Sequence, residues 1–239
     1  MVLVYTSLCL IFVLRRYPVA DITGKNQIYT ELRCSIITGR SKPGERLNLQ
    51  ALAENYGCSI TPVRDALQML HQEGLATIKP RSGYFVTHLT LKELNDLFDL
   101  REILELAASE RAASRITDVQ LDELENIHAG YTGDDVTSLE RYADENRRLH
   151  CLIAEASGND ELAKAVGRMH DQLARFMVAS HADQSMMAFR HQNLISALRT
   201  RDAAMVREAI YKDINDVREA TLQRVIEEES AFWQLRIHS

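Results

Sequence analysis

The stretch that decides the fold is residues 39–86, GRSKPGERLNLQALAENYGCSITPVRDALQMLHQEGLATIKPRSGYFV. It predicts a helix, a turn, a second helix and a hairpin. Asn48 is suited to cap the first helix, and Gly57 lies just past its end. Thr61 is expected to cap the second helix, with Pro62 at its first position, where a missing N–H costs nothing.

The second helix has two distinct faces. Val63, Leu67 and Leu70 recur at steps of four and three residues, which places them on one face and predicts that they contact a core. Arg64 and Gln68 share the neighbouring face, which is expected to be exposed. A polar, cationic stripe therefore lies along the outer side of this helix.

The residues after this helix predict a short hairpin. Gly74 ends the helix, residues 75–79 and 84–88 have the character of strands, and residues 80–83 (PRSG) supply the turn between them. Together with the two helices, the hairpin makes a winged helix-turn-helix.

This arrangement predicts a DNA-binding surface. A helix of this kind fits the major groove, where an arginine can donate two hydrogen bonds to guanine, and a basic hairpin tip reaches a neighbouring groove or phosphate. The expected contacts are Arg64, Gln68, Lys79 and Arg81. The alternative is that Arg64 only pairs with a nearby carboxylate on a small helical domain.

The same stretch resembles the GntR family of transcription regulators. The resemblance rests on PGERL at 43–47, Leu-Ala at 52–53, SITPVR at 59–64 and EGL at 73–75, with Gly83 in the hairpin. It implies that Arg64 reads guanine, that Thr61 contacts the DNA backbone, and that Gly83 belongs to the DNA-binding wing. Ile60 stands where the family usually has arginine, and Gln50 where some members have one, so operator specificity is expected to differ.

Charge divides the chain of 239 residues into a basic head and an acidic body. Residues 1–90 hold 10 Lys and Arg against 6 Asp and Glu, whereas residues 91–239 hold 18 against 28. Phosphate attracts the first part and repels the second, so DNA docking is expected to be oriented. We expect a leader at 1–24, a DNA-binding domain at 25–89 and a second domain at 90–232.

The leader contains an apolar run, VLVYTSLCLIFVL at 2–14, which is too short to span a membrane. We expect no membrane association; the run is either a partly apolar leader or the product of a mis-assigned start codon. Cysteines 9, 34, 58 and 151 have neither CxxC spacing nor a disulfide pattern, so a cytoplasmic protein is expected.

Beyond residue 89 the sequence predicts an all-α bundle of about six helices. Thr90 with Glu93, and Thr117 with Gln120, have the spacing of capping boxes. Further helical patterns cover about 138–156, 160–180, 184–200 and 203–229. The predicted fold class is mainly α, an N-terminal winged helix-turn-helix followed by an all-α helical bundle.

The bundle resembles the FCD effector domain of FadR-type members of the GntR family. The resemblance rests on Arg101 with Glu105, on NRRLHCLIAEASGN at 146–159, and on His191 followed by LISALRTRDAAMVREAI. It implies a small organic-acid effector and a divalent metal. The implied metal ligands are Asn146, His150, His191 and Asp213, with Asp213 standing where the family usually has histidine.

The residues themselves carry a weaker signal than the resemblance does. Asn146 and His150 lie four apart on one helix face, a spacing that is more often structural than metal-binding. An oxygen and imidazole set suits zinc, manganese or nickel. Arg101 either provides the counter-charge for an effector carboxylate or pairs with Glu105. The remaining histidines are expected to be structural or on the surface: His71, His88, His128, His170 and His181.

The expected function is sequence-specific, metabolite-responsive transcription regulation by a homodimer on double-stranded DNA with a pseudo-palindromic operator. Repression relieved by ligand is the commoner behaviour in the family, and no feature of the sequence fixes the sign. No enzymatic activity is expected. Two alternatives stay open: a metal-dependent helical-bundle enzyme attached to a nucleic-acid-binding module, and an architectural DNA binder that responds to no ligand.

Overall fold

The computed structural model of the protein describes residues 24–127, 136–180 and 184–237. In these ranges the chain forms helices and three short strands, in the following order. The elements are α1 (Gly24–Ile37), β1 (Arg46–Leu47), α2 (Leu49–Tyr56), α3 (Ile60–Gln72), β2 (Ala76–Lys79), β3 (Gly83–Val86), α4 (Leu91–Ala113), α5 (Asp118–Asn126), α6 (Val136–Ala156), α7 (Asp160–Ser180), α8 (Gln184–Thr200) and α9 (Ala203–Ile237). The expected fold class, a winged helix-turn-helix followed by a helical bundle, is confirmed.

The winged helix contains two elements that we did not predict. Helix α1 packs against α3, and strand β1 adds a third strand to the hairpin. The sheet has the order β1-β3-β2 and is antiparallel throughout, so Phe85 of β3 pairs with Arg46 on one side and with Thr77 on the other. This sheet holds the hairpin against the helices.

The cap of α2 is as predicted, but that of α3 is not. Asn48 Oδ1 accepts hydrogen bonds from the backbone N–H groups of Gln50 and Ala51. Helix α3 begins at Ile60, and Ser59 occupies the N-cap position without a capping hydrogen bond from its side chain, so the prediction that Thr61 is the cap was wrong. Pro62 therefore sits at the third helical position, which it tolerates because none of the first four N–H groups has an intrahelical partner.

The hairpin is shorter than predicted. Its strands cover 76–79 and 83–86, rather than 75–79 and 84–88. The turn needs left-handed backbone at Arg81, with φ of 62°, and Gly83, with φ of 101°. Glycine adopts that conformation without the steric cost that other residues meet, which explains Gly83.

The inner face of α3 forms the centre of the first core. Val63, Leu67 and Leu70 are completely buried, as their spacing predicted. Ile28 and Leu32 of α1 pack in the same cluster. Burial of this face leaves the opposite side of α3 free for other contacts.

The six helices from α4 to α9 make the bundle that the sequence predicted. Both capping boxes are present, at Thr90 with Glu93 and at Thr117 with Gln120. Helix α4 contacts α6, α7, α8 and α9, so it is the central helix. Polar residues on its inner side are consequently removed from water.

No helix among the described residues is long and apolar enough to cross a membrane. Residues 1–23 of the expected leader, together with His128 and His181, lie outside the described ranges, and Gly24 is the first residue of α1.

Candidate functional site

The outer face of α3 carries the predicted DNA-contacting side chains. Thr61, Arg64 and Gln68 are all exposed, while Val63 and Leu67 between them are buried. The helix is therefore fixed from within and polar on the outside. Such a surface can present an arginine to base edges in the major groove.

The tip of the wing is basic. Lys79 ends β2 and Arg81 lies in the turn, and both are exposed. The Lys79 ammonium lies 4.6 Å from the centre of the Phe85 ring, a cation–π contact that orients it beside the sheet. The wing thus offers two positive charges that can reach phosphate.

The structure gives a physical reason for Ile60, one of the two residues that differ from the family pattern, and none for Gln50. Ile60 is partly buried and packs against the core of the winged helix. Gln50 is exposed at the first turn of α2, and its backbone N–H donates to the Asn48 cap. Ile60 therefore contributes packing at a place where a cation would have to reach outward.

A buried polar cluster surrounds Arg101 in the middle of the bundle. Arg101 is 0% exposed, and its Nε donates to Glu105 Oε1 at 3.0 Å. Its Nη2 lies 3.2 Å from Asp213 Oδ2 and 3.3 Å from His150 Nε2. The intrahelical pair with Glu105 is therefore present, and the guanidinium also links α4 to α6 and α9.

The opposite charges in this cluster stabilise each other in their ionised forms. Burial alone would raise the pKa of Glu105, but Arg101 and the neighbouring histidines outweigh it and hold that pKa well below its usual range. Burial likewise disfavours the charged form of Arg101, while Glu105 and Asp213 raise its pKa. Both groups are thus ionised, as a buried pair must be to compensate its own desolvation.

Glu105 fixes two histidines from different helices. His170 Nε2 lies 2.6 Å from Glu105 Oε1, and His150 Nδ1 lies 2.8 Å from Glu105 Oε2. Since a carboxylate only accepts, both ring nitrogens must carry the proton. Burial lowers the pKa of His170 to about 4, so this ring is neutral near pH 7, and its Nδ1 accepts from Asn146 Nδ2 at 3.3 Å.

Three of the four expected metal ligands come together. His150, His191 and Asp213 offer donor atoms that all lie within 4.8 Å of one another. The fourth, Asn146, is buried one turn before His150 on α6. Two imidazoles and a carboxylate are a donor set that suits a divalent ion. His150 fits this use because its protonated Nδ1 leaves the Nε2 lone pair available.

Arg101 touches two of those donor atoms itself. Its Nη2 lies 3.3 Å from His150 Nε2 and 3.2 Å from Asp213 Oδ2. Arg190 Nε adds a second positive charge 3.3 Å from Asp213 Oδ1. The carboxylate of Asp213 therefore contacts two guanidinium groups, one with each oxygen. A neutral imidazole at this position would have neither the negative charge nor the second oxygen.

Two residues of this cluster were not predicted. His170 was grouped with the structural or surface histidines, yet it is buried against Glu105 and stacks on His150, with ring centres 4.5 Å apart. Its position four residues after Val166 and three before Leu173 places it on the apolar side of α7, a signal of burial. The sequence around Arg190 showed no comparable indication that this residue would be near the cluster.

Comparison with known protein families finds two matched regions, which correspond to the winged helix and to the bundle. Residues 25–86 match the family described as bacterial regulatory proteins, gntR family, and residues 96–216 match the FCD domain. The chain belongs to the GntR family. It is a DNA-binding transcriptional regulator of the type that combines a winged helix with an FCD domain, so its two sites lie in two matched domains.

Several similar proteins are transcriptional regulators. The repressor RspR of Escherichia coli is 27% identical over 216 residues, which cover 87% of this chain and 92% of RspR. The E. coli repressor GlaR is 28% identical over 75% of this chain and 87% of GlaR. The solved structure of E. coli McbR has a TM-score of 0.68 over 86% of this chain and 100% of McbR; at 23% identity it shows a shared fold.

Proposed function

We propose that this GntR protein binds pseudo-palindromic operators as a homodimer and responds to a small carboxylate. The DNA contacts would be Thr61, Arg64 and Gln68 on α3, with Lys79, Arg81 and Gly83 in the wing. The supporting observation is the exposure of this polar row directly opposite the buried face of α3. One chain carries one winged helix, so two half-sites require two copies.

The bundle has an exposed apolar strip that supports a homodimer. On α4, Ile103 is 67% exposed and Leu100 is 44% exposed, although the same helix is buried along its other side. Large apolar side chains that remain exposed on one face of a central helix are typical of subunit contacts. A contact through α4 would place Arg101 close behind the interface.

The effector site that we propose is the cluster around Arg101. The observation that carries this proposal is its Nη1 nitrogen, which is buried and has no hydrogen-bond partner among the described residues. A buried donor without a partner is costly, and a carboxylate oxygen would satisfy it through a charge-assisted hydrogen bond. A small organic acid is therefore the class of effector that the cluster favours.

We further propose that His150, His191 and Asp213, with Asn146 beside them, hold a divalent ion such as zinc, manganese or nickel. The ion would supply positive charge for a second oxygen of the effector carboxylate. Asp213 and His150 would then exchange their contacts with Arg101 for metal coordination, which releases the guanidinium toward the effector. The donor geometry supports this set.

We propose repression that is relieved by the effector. RspR and GlaR, two of the similar proteins, are both named repressors. An effector that binds one arrangement of the bundle better than the other shifts the population between them. A coupling of about 1–3 kcal/mol changes operator affinity roughly 5- to 150-fold, which suffices for control.

The proposed metal and effector site can be tested with one pair of variants, by measuring their metal content and the response of their operator binding to organic acids. His150→Ala removes a ligand, whereas His88→Ala changes an exposed histidine that belongs to no donor group. Purified proteins would be assayed for zinc, manganese and nickel by mass spectrometry. Their affinity for an operator recovered from genomic mapping would then be titrated against a panel of mono-, di- and tricarboxylic acids.

We expect wild type and His88→Ala to carry metal and to release the operator with at least one acid. His150→Ala should lose both properties and still bind the operator. Metal content and acid response that are the same in all three proteins would dispose of the site. Operator binding that no acid changes in wild type would favour a ligand-independent DNA binder.

A further inference from the structure

Helices α6 and α7 each carry two adjacent residues, one of which faces the Arg101 cluster while the other faces the winged helix. On α7, His170 belongs to the Arg101 cluster, and the next residue, Asp171, faces the winged helix. On α6, Asn146 contacts His170, and the next residue, Arg147, pairs with Asp171 at 2.7 Å. Since successive helical residues point about 100° apart, each rigid helix presents one residue to each place.

The second of these places is an ionic contact with Arg33 of α1, at the boundary between the bundle and the winged helix. Arg33 is only 8% exposed, and its Nη1 lies 2.8 Å from Asp144 Oδ1. Its Nη2 lies 3.7 Å from Asp171 Oδ1. The pairing partners of one arginine of the winged helix are therefore supplied by both α6 and α7. Arg33 and Asp171 are both buried, so a displacement that separates them leaves a buried charge with less compensation.

The same contact reaches the end of the recognition helix. Glu73, the residue that follows α3, accepts a 2.6 Å hydrogen bond from the Tyr29 hydroxyl and lies 3.9 Å from Arg33 Nε. Gly74 packs so closely on Gln172 of α7 that a Cβ atom there would lie 2.5 Å from the Gln172 amide. The residues directly after α3 therefore pack on the helix that carries His170 and Asp171.

We propose that this Arg33 contact, made of Arg33, Glu73, Asp144, Arg147 and Asp171, transmits occupancy of the Arg101 cluster to the recognition helix. The proposal rests on the effector site proposed above. An effector carboxylate at Arg101 Nη1 would share this guanidinium with Glu105, and Glu105 holds His170. A movement of His170 displaces the adjacent Asp171, because both lie on α7. Displacement of Asp171 changes its contact with Arg33 and thereby the positions of α1 and of the end of α3.

Hydrogen exchange of the full chain, without DNA or effector, tests the connection directly. His170→Gln alters the cluster side, and Asp171→Asn alters the winged-helix side with almost no change in shape. Arg148→Gln is the matched control, because Arg148 lies next to Arg147 on α6 but, among the described residues, forms ion pairs with Glu123 and Glu155 instead of Arg33, Glu73 or Asp171. Exchange would be followed in peptides covering 24–37 and 69–74.

We expect Asp171→Asn and His170→Gln each to speed exchange in both segments by at least about fivefold, the lower end of common coupling strengths. Arg148→Gln should match wild type. The double variant should show less than the product of the two single effects, because both act through one contact. Where His170→Gln does not fold, Asn146→Ala, which removes the partner of His170 Nδ1, takes its place.

Faster exchange confined to residues 136–180 in His170→Gln, with 24–37 and 69–74 unchanged, would overturn the proposal. Unchanged exchange in Asp171→Asn would overturn it as well. Neither outcome depends on any effector. Failure of the proposed effector response would therefore appear separately, as operator binding that no carboxylic acid changes.

Discussion

Arg64 and Lys79 differ in what they can read, although both are exposed cations on the DNA-binding side. We propose that Arg64, which projects from α3, contacts guanine and that Lys79, in the wing, contacts phosphate. We expect Arg64→Ala to cost about 1–3 kcal/mol at the operator and to relax base preference, and Lys79→Ala to weaken binding to all DNA similarly.

Fluorescence anisotropy with operator and scrambled duplexes, at several salt concentrations, measures this difference. Equal losses on both duplexes for Arg64→Ala would contradict the assigned base contact. For Lys79→Ala, the slope of log affinity against log salt concentration should become smaller by about one, because one phosphate contact is lost.

Asp213 should matter for folding as well as for ligand binding. It is 3% exposed and contacts the buried Arg101, so Asp213→Asn leaves a buried guanidinium with one carboxylate fewer. We expect a loss of about 3–5 kcal/mol in the free energy of unfolding, measured by urea denaturation. Asp96→Asn, which breaks an exposed pair with Lys92, should change nothing measurable. Comparable effects of both variants would contradict the buried pairing.

The cluster around Arg101 was only partly readable from sequence. Resemblance brought His150, His191 and Asp213 to attention, and the structure places their donor atoms together. The role of Glu105 as a bridge was not readable, because its contact with His170 spans 65 residues of chain. Pairings at that separation depend on how helices dock, which local spacing does not encode.

At the level of elements, helix ends were predicted best because caps are local. The Asn48 cap and both capping boxes follow from residues within one turn. Strand β1 was missed because two residues show no periodicity, and its pairing comes from the distant β3. Helix α1 was not predicted as an element, although it lies within the expected DNA-binding domain at 25–89 and its Ile28, Leu32 and Ile36 lie at helical spacing.

The Asn48 cap gives a prediction for α2. Asn48→Ala removes an oxygen that accepts from two backbone N–H groups, so the free energy of unfolding should fall by about 0.5–2 kcal/mol. Asn48→Asp keeps an accepting oxygen and should remain within a few tenths of a kcal/mol of wild type. Urea denaturation followed by circular dichroism measures both. A loss as large for Asn48→Asp as for Asn48→Ala would argue against the cap.

For the whole molecule, two domains and their opposite charges were predictable from composition along the chain. The way in which the domains meet was not. Arg33 looks like an ordinary surface residue of an amphipathic helix, and its burial depends on Asp144 and Asp171 more than 100 residues later. The contact between the two domains therefore emerged only from the structure.

Assembly gives the prediction for the whole molecule. Ile103→Asp places a charge in the exposed apolar strip of α4 and should convert a dimer to a monomer, because a buried unpaired carboxylate is costly. Val119→Asp changes an equally exposed apolar residue on α5 and should leave the dimer intact. Sedimentation velocity distinguishes the two. A dimer that persists in Ile103→Asp would move the interface elsewhere.

The central claim is that this GntR protein regulates genes by reading specific DNA sites through Arg64. Genome-wide mapping of occupied sites in its own cells, for wild type and Arg64→Ala at equal abundance, tests it most directly. We predict a small number of pseudo-palindromic sites in wild type, with enrichment lost in Arg64→Ala. Occupancy without a shared sequence, or the same sites in both proteins, would contradict the claim.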